Sequence, residues 1–214
     1  VVVLINSKPL AIPWIAAHAA AIVEAFNPGM LGGTALAELL CGDVNPCGKL
    51  TISFPVHVGQ QPVWYHRVPG THGIAYADRF LYDALFPFGF GLSYTTFSYA
   101  NLRLARAALQ PGDPLELSVD ITNTGARAGV EIAQVYVRDI YTSVTWPDKL
   151  LKAYARVALE PGECRTVSFV IAYEDLALVN RANERVVEPG DFEVFAGPSS
   201  RARDALKSAF SVCA

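Results

Sequence analysis

Pro87-Phe88-Gly89-Phe90-Gly91-Leu92-Ser93-Tyr94-Thr95-Thr96 stands where two unlike patterns meet. Before it, short apolar runs alternate with helix-like segments. After it, short alternating segments are separated by turn signals, so the architectural class changes at this point. The stretch predicts a joint between an α/β layer and an all-β unit, with aromatic side chains and two glycines allowing close backbone packing.

Working upstream, Val1-Val2-Val3-Leu4-Ile5 is a β-branched run of the kind that forms a fully buried parallel strand. Asn6-Ser7-Lys8-Pro9 is turn chemistry, and Pro13-Trp14 can open a helix continued by Ala16 to Ala21. Ala21 to Phe26 reads as a second buried strand, with helix continuation as the competing reading, and ends at the break Asn27-Pro28-Gly29. A further helix follows Gly32-Gly33: Leu36, Leu39 and Leu40 share one face, and Gly42 is placed to stop it. In such α/β units ligands gather in loops at the carboxyl ends of strands, and 27–33 is such a loop.

Residues 43–98 are rich in proline, glycine and aromatics, among them Trp64, Tyr65, Tyr76, Phe80, Tyr82, Phe86, Phe88 and Phe90. This composition predicts an ordered connection pinned across a domain surface, since a flexible linker would be rich in glycine, serine or charge. From Tyr99 onward, Leu115 to Ile121 and Ile132 to Val137 alternate as half-buried strands. Further strands are expected at Leu150 to Leu159, Arg165 to Ile171, Arg185 to Val187, Asp191 to Ala196 and Lys207 to Val212. With turns at Asn123-Thr124-Gly125, Pro161-Gly162-Glu163 and Pro189-Gly190-Asp191, they predict an antiparallel β-sandwich. The expected division is 1–58 for an incomplete α/β portion, 59–98 for the aromatic connector and 99–214 for the sandwich.

At 214 residues, 52% hydrophobic and 17% charged, the chain can bury a sizeable core. A net charge of -3 from interspersed acids and bases lacks the basic footprint of a nucleic-acid binder and fits a neutral or small polar partner. Neither a signal peptide nor an apolar run of about 20 residues is visible, so no membrane partner is expected. The opening run resembles the middle of a fold, so the chain is expected to begin inside a domain whose earlier part lies elsewhere, and its compartment is not readable here. Cys41, Cys47, Cys164 and Cys213 are too few and too unevenly spaced for a disulfide framework and read as buried or incidental thiols.

Several tempting motifs fail on spacing. Gly42-Asp43-Val44-Asn45-Pro46-Cys47-Gly48-Lys49 is one residue too long for a phosphate loop and carries Leu50 where a metal-binding hydroxyl is needed. It reads instead as a turn in which Gly48 supplies an unusual backbone angle. Gly89-Phe90-Gly91-Leu92-Ser93 has the spacing of neither a dinucleotide loop nor a nucleophile elbow. His18, His57, His66 and His72 lack zinc-like spacing. Glu24, Glu38, Asp43, Asp78 and Asp83 include no local pair that identifies an acid and a base, although Asp78 and Asp83 lie beside Tyr76, Phe80 and Tyr82, where a sugar hydroxyl contact is conceivable.

Taken in order, Asn27-Pro28-Gly29, Gly32-Gly33-Thr34-Ala35-Leu36-Ala37, Gly42-Asp43-Val44-Asn45-Pro46, Gly48-Lys49-Leu50 and Phe54-Pro55 resemble the end of the second domain in glycoside hydrolase family 3. Phe86 to Phe97 resembles the same family's hallmark before its fibronectin type III-like domain. Val119-Asp120-Ile121-Thr122-Asn123-Thr124-Gly125 is similar to an early strand of that domain, and Glu188-Pro189-Gly190-Asp191-Phe192 to a late one. The fold class implied is an α/β layer fragment followed by a fibronectin type III-like, immunoglobulin-like sandwich.

The resemblance implies a parent enzyme that is a retaining, exo-acting β-glucosidase or β-xylosidase, needs no cofactor, and acts on β-linked oligosaccharides or glucosides. Retention uses two carboxyl groups about 5 to 5.5 Å apart. In this family the nucleophilic Asp lies in an amino-terminal barrel and the acid/base Glu lies upstream of the strand that Val1 to Ile5 resembles. No catalytic residue is therefore assigned here, and the expected partners are the missing barrel and α/β segments. Where many relatives carry an acidic residue after Pro28-Gly29, this chain has Met30-Leu31. Trp64, Tyr65 and His66 are candidates for stacking or hydrogen bonding to sugar in outer subsites, against the alternative that they pack the connector. The rival reading of the whole chain is a stand-alone carbohydrate-binding or adhesion module without catalysis.

Overall fold

A computed structural model describes residues 1–60, 62–68 and 83–214. The amino-terminal part holds strand β1 (Val2–Leu4), helix α1 (Pro13–His18), strand β2 (Ile22–Glu24) and helix α2 (Gly32–Cys41). β1 and β2 pair in parallel, Val3 opposite Val23. The β-branched run at 22–23 thus forms strand, not helix, and α1 stops at His18 rather than reaching Ala21. The expectation of a fully buried opening strand is corrected: β1 and β2 are only half-buried and Val1 and Ile5 are exposed. Among the described residues β1 pairs with β2 alone, so one edge of each strand goes uncovered.

Gly42 ends α2 in the left-handed region at φ 84°, with its N–H turned back to the Glu38 and Leu39 carbonyls. A glycine is favoured there because a Cβ clashes with the following carbonyl. Leu36 and Leu39 are half-buried as their shared face predicts, but Leu40 is exposed. Gly48 does not take an unusual angle. Leu50 donates to Phe90 O and Phe54 to Phe86 O, so the segment after Gly48 pairs with 85–91 without a left-handed residue at 48.

The carboxyl-terminal part contains β3 (Phe97–Leu104), β4 (Ala108–Leu109), β5 (Leu115–Asn123), β6 (Gly129–Asp139), β7 (Leu150–Leu159), β8 (Cys164–Ile171), β9 (Leu178–Val179), β10 (Arg185–Val186), β11 (Gly190–Gly197) and β12 (Leu206–Val212). A three-stranded sheet, β3-β5-β8, faces a five-stranded sheet, β4-β12-β11-β6-β7, while β9 and β10 form a small hairpin. β3, β4 and β9 have no expectation to match them: β4 and β9 are two residues long and show no periodicity, and the alternation of β3 is broken by a register shift between Ala100 and Arg103. β4 also pairs parallel to β12, a departure from a purely antiparallel sandwich.

Alternation places Leu115, Val119 and Ile121 of β5 against Val135 of β6 and Phe192 and Val194 of β11 in one core. The two outer faces differ. That of the three-stranded sheet is polar, with Asp120 accepting from Arg103, Asn101 and Thr166. That of the five-stranded sheet is largely covered, and Tyr136, which alternates away from the sandwich core, is fully buried. All four cysteines are free, and Cys41 and Cys164 are exposed, which corrects the buried alternative for those two.

Candidate functional site

The cover over Tyr136 is the aromatic stretch itself. Segments 49–54 and 85–91 run side by side through Leu50 N–H to Phe90 O, Gly89 N–H to Leu50 O, Phe54 N–H to Phe86 O and Leu85 N–H to Phe54 O. Phe54 is buried edge-on against Phe86, and Phe86 stacks on Phe90. Tyr65 stacks on Phe88 with ring centroids 4.4 Å apart and meets Tyr136 edge-on at 5.8 Å. Burial, followed by the neighbouring Tyr65, pushes the Tyr136 hydroxyl well above the usual phenol range, so it stays a donor, to Gln134 Oε1 at 2.5 Å.

Gln134 organises the covered face. Its Nε2 donates to Gly89 O at 3.0 Å and to Pro198 O at 2.7 Å. Gly89 has φ 79°, and a Cβ there would fall 2.0 Å from Gln134 Oε1, so both conformation and space demand glycine. Asn45 performs a similar service at the other end of the joint. Its Oδ1 accepts from Ser93 Oγ at 2.7 Å and Tyr94 N at 2.8 Å, while its Nδ2 donates to Ala128 O at 2.8 Å. Tyr94 OH then caps a last-turn carbonyl of α2, that of Leu39, at 2.6 Å.

Between these two anchors lies a buried charge cluster. Lys49 Nζ donates to Gly91 O at 3.1 Å and lies 3.3 Å from both carboxylate oxygens of Glu131. Tyr99 OH donates to Glu131 Oε1 at 2.8 Å. Burial, then the Glu131 charge, pushes that hydroxyl far above its ordinary range and keeps it protonated. Every polar group is paired, as a buried ion pair requires. The cluster is suited to holding elements together, because both Glu131 oxygens and the lysine are already engaged. Sequence reasoning gives no role to Lys49, Glu131, Asn45 or Gln134, because their partners lie far away in sequence; Asn45 and Lys49 entered it only as members of the failed phosphate-loop match and of the family motifs.

The three sugar-contact candidates separate. Tyr65 is held in the aromatic stack, and its hydroxyl oxygen accepts from Leu151 N–H at 3.3 Å. Trp64 is 61% exposed and lies nearly parallel to His66, with centroids 6.0 Å apart. His66 Nδ1 is buried with no hydrogen-bond partner. The Asp83 carbonyl accepts from Gln60 Nε2 at 3.2 Å. Asp78, Tyr76, Phe80, Tyr82 and His72 lie outside the described residues. Among the described residues, no helix is long and apolar enough to cross a membrane.

Residues 1–94 match the glycosyl hydrolase family 3 C-terminal domain, and residues 131–200 match the fibronectin type III-like domain. A β-xylosidase of Formosa agariphila is 46% identical over 206 residues, which covers 95% of this chain and 28% of that protein. A periplasmic β-glucosidase of Salmonella typhimurium is 41% identical over 209 residues, covering 94% of this chain and 27% of that protein. A β-glucosidase of Listeria innocua, solved in complex with glucose, superposes with a TM-score of 0.91 at 36% identity, covering 99% of this chain and 30% of that one. The chain thus spans under a third of the length of these relatives. With both domains matched in order and the aromatic joint between them in place, this chain belongs to glycoside hydrolase family 3, whose C-terminal domain and fibronectin type III-like domain it carries.

Proposed function

We propose that the chain is the carboxyl-terminal part of a retaining, exo-acting β-glycosidase that hydrolyses terminal β-glucosides or β-xylosides. Its part is to brace and shape the site, with both catalytic carboxylates supplied by the remainder of the enzyme. The observation that carries this reading is the Lys49–Glu131–Tyr99 cluster, a paired and buried set of groups tying the α/β end to the sandwich. Units 1–58, 59–98 and 99–214 are proposed as the α/β end, the connector and the brace.

A second observation suggests where the remainder attaches. Ile5 follows β1, Trp14 opens α1, and Met30 and Leu31 precede α2; all four are exposed, Met30 completely. Asn6, just after β1, donates to Glu24 at the end of β2, so these loops meet at the carboxyl end of the parallel pair. Four exposed apolar residues at one end of a fold mark a surface that another part of the protein covers.

The test replaces the corresponding segment of the Formosa agariphila β-xylosidase with this chain and follows release of nitrophenol from aryl β-xyloside and β-glucoside. The chimera is expected to hydrolyse at least one of them, and the 214-residue chain alone neither. Turnover by the chain alone, or a folded chimera without turnover, overturns the proposal.

A further inference from the structure

The outer face of the five-stranded sheet is not covered across its full width. The connector seals it over β6, where Gln134 and Tyr136 are buried, and reaches the edge strand β7 at Leu151, whose N–H meets the Tyr65 hydroxyl, but leaves Tyr154 of that strand open. There Tyr154, directly opposite Gln134 in the ladder, is 71% exposed. Directly paired residues in an antiparallel ladder share a face, so Tyr154 stands beside Gln134 on the side the connector covers, three residues along β7 from the Leu151 amide that meets Tyr65. Trp64, next in sequence to the stacked Tyr65, is exposed as well. Arg156, two residues along β7, presents its guanidinium on this face, where it approaches Cys47 Sγ at 3.9 Å.

The physics of these two aromatics differs from that of a stray surface residue. Tyr65 is fixed by stacking, by an edge contact and by the Leu151 amide, so the adjoining Trp64 is presented from an anchored segment. Its ring is supported from one side by the nearly parallel His66. His66 Nδ1 is buried without a partner, so Nε2 is the ring nitrogen left to serve as a donor beside the indole. An exposed aromatic plane with a hydrogen-bond donor at its margin suits a pyranose ring, which offers an apolar C–H face and equatorial hydroxyls. Of the cations on this sheet face, Arg138, Lys149 and Lys207 are ion-paired with Asp148 and Glu193, which leaves Arg156 as a single guanidinium beside the aromatics rather than a charged cluster among the described residues.

We infer that Trp64 and Tyr154, with His66 as a hydrogen-bond donor, form a glycan platform on the β7 side of the five-stranded sheet, binding neutral β-linked oligosaccharides. The inference rests on the glycosidase reading for its class of ligand. It goes beyond that reading in placing a binding surface on the brace itself, with Tyr154 as its second aromatic plane.

The test titrates the 214-residue chain with cellopentaose and with xylopentaose by isothermal calorimetry, and repeats the titration on variants whose folding is checked by circular dichroism. Trp64→Ala and Tyr154→Ala are each expected to weaken binding roughly tenfold, the loss of one aromatic stacking contact. His66→Phe keeps the ring stack and is expected to weaken it about threefold, the loss of one modest hydrogen bond. Tyr141→Ala, equally exposed but beyond the end of β6, should leave it unchanged. Absence of binding to either sugar, or unchanged binding by the Trp64→Ala/Tyr154→Ala double variant, overturns the platform. The readout needs no turnover: an active chimera with no binding by the chain sinks the platform alone, and binding by the chain with an inactive chimera sinks the enzyme reading alone.

Discussion

Lys49 Nζ sits 3.3 Å from each carboxylate oxygen of Glu131, with the two side chains only 12% and 4% exposed, although 82 residues separate them. Removing one partner strands the other as a buried charge, which carries a penalty of about 3 to 5 kcal/mol, whereas apolar groups in both positions remove both desolvation terms. Lys49→Met should therefore destabilise by about 3 kcal/mol. The double variant Lys49→Met/Glu131→Leu should lose markedly less than the sum of its singles, as read from urea denaturation midpoints. Additive losses would show that the pair does not act as a unit.

Gly89 tests whether the joint depends on backbone approach. Gly89→Ala places a Cβ at φ 79° and 2.0 Å from the Gln134 amide oxygen, so both strain and collision apply. A loss of at least about 2 kcal/mol is expected. Gly112, at φ 91° with open space around it, serves as the control, and its alanine variant should lose only about 1 kcal/mol. Equal melting temperatures for the two variants would remove the role given to the Gln134 contact.

Tyr65 and Trp64 should behave oppositely despite being neighbours. Tyr65→Ala empties the stack between Phe88 and Tyr136 and is expected to destabilise by about 3 kcal/mol, while Tyr65→Phe loses only the Leu151 hydrogen bond, about 1 kcal/mol. Trp64→Ala, at an exposed position, should fall within about 0.5 kcal/mol of the unaltered chain. Thermal denaturation separates the three; a large loss at Trp64 would assign it to packing.

Asp139 makes stability depend on pH. Burial, opposed by the Tyr141 N–H and reinforced by Glu188, pushes its carboxyl up to about 6. In the unfolded chain it titrates near about 4. Between these values the folded state keeps a proton that the unfolded state has released, so this group's contribution to stability falls as pH rises from about 4 to about 6. Asp139→Asn should abolish that decline and gain about 1 kcal/mol at pH 7, after allowance for solvent screening of a half-buried group. Denaturant midpoints of both proteins across pH 4 to 7 check the sign; parallel profiles would count against it.

Much of the fold was legible along the chain because it rests on local rules. Period-two alternation located β5, β6, β7, β8, β11 and β12 but not β3, whose alternation is broken at a register shift; Gly42 marked the end of α2, and the break at Asn27-Pro28-Gly29 separated β2 from it. The two-residue strands β4 and β9 were not legible, since a pair of residues has no period and takes its conformation from neighbours supplied by the fold. Gly48 misled for a related reason: glycine permits an unusual angle without requiring one, and pairing of the following segment with 85–91 decided the matter. Of the candidate site residues, Trp64, Tyr65 and His66 could be named together from composition but not told apart, because exposure is a property of what packs nearby.

The sequence by itself determined the change of class at Pro87 to Thr96 and, through ordered motifs, the family. Both are carried by residues close together along the chain. Only the tertiary structure decided that Lys49 and Tyr99 meet on Glu131, that Gln134 reads Gly89, and that Tyr154 stands beside Gln134 on the face the connector covers. Those relationships join residues tens of positions apart, and only strand pairing and the packing of the connector against one face of the sandwich bring them within hydrogen-bonding or van der Waals range.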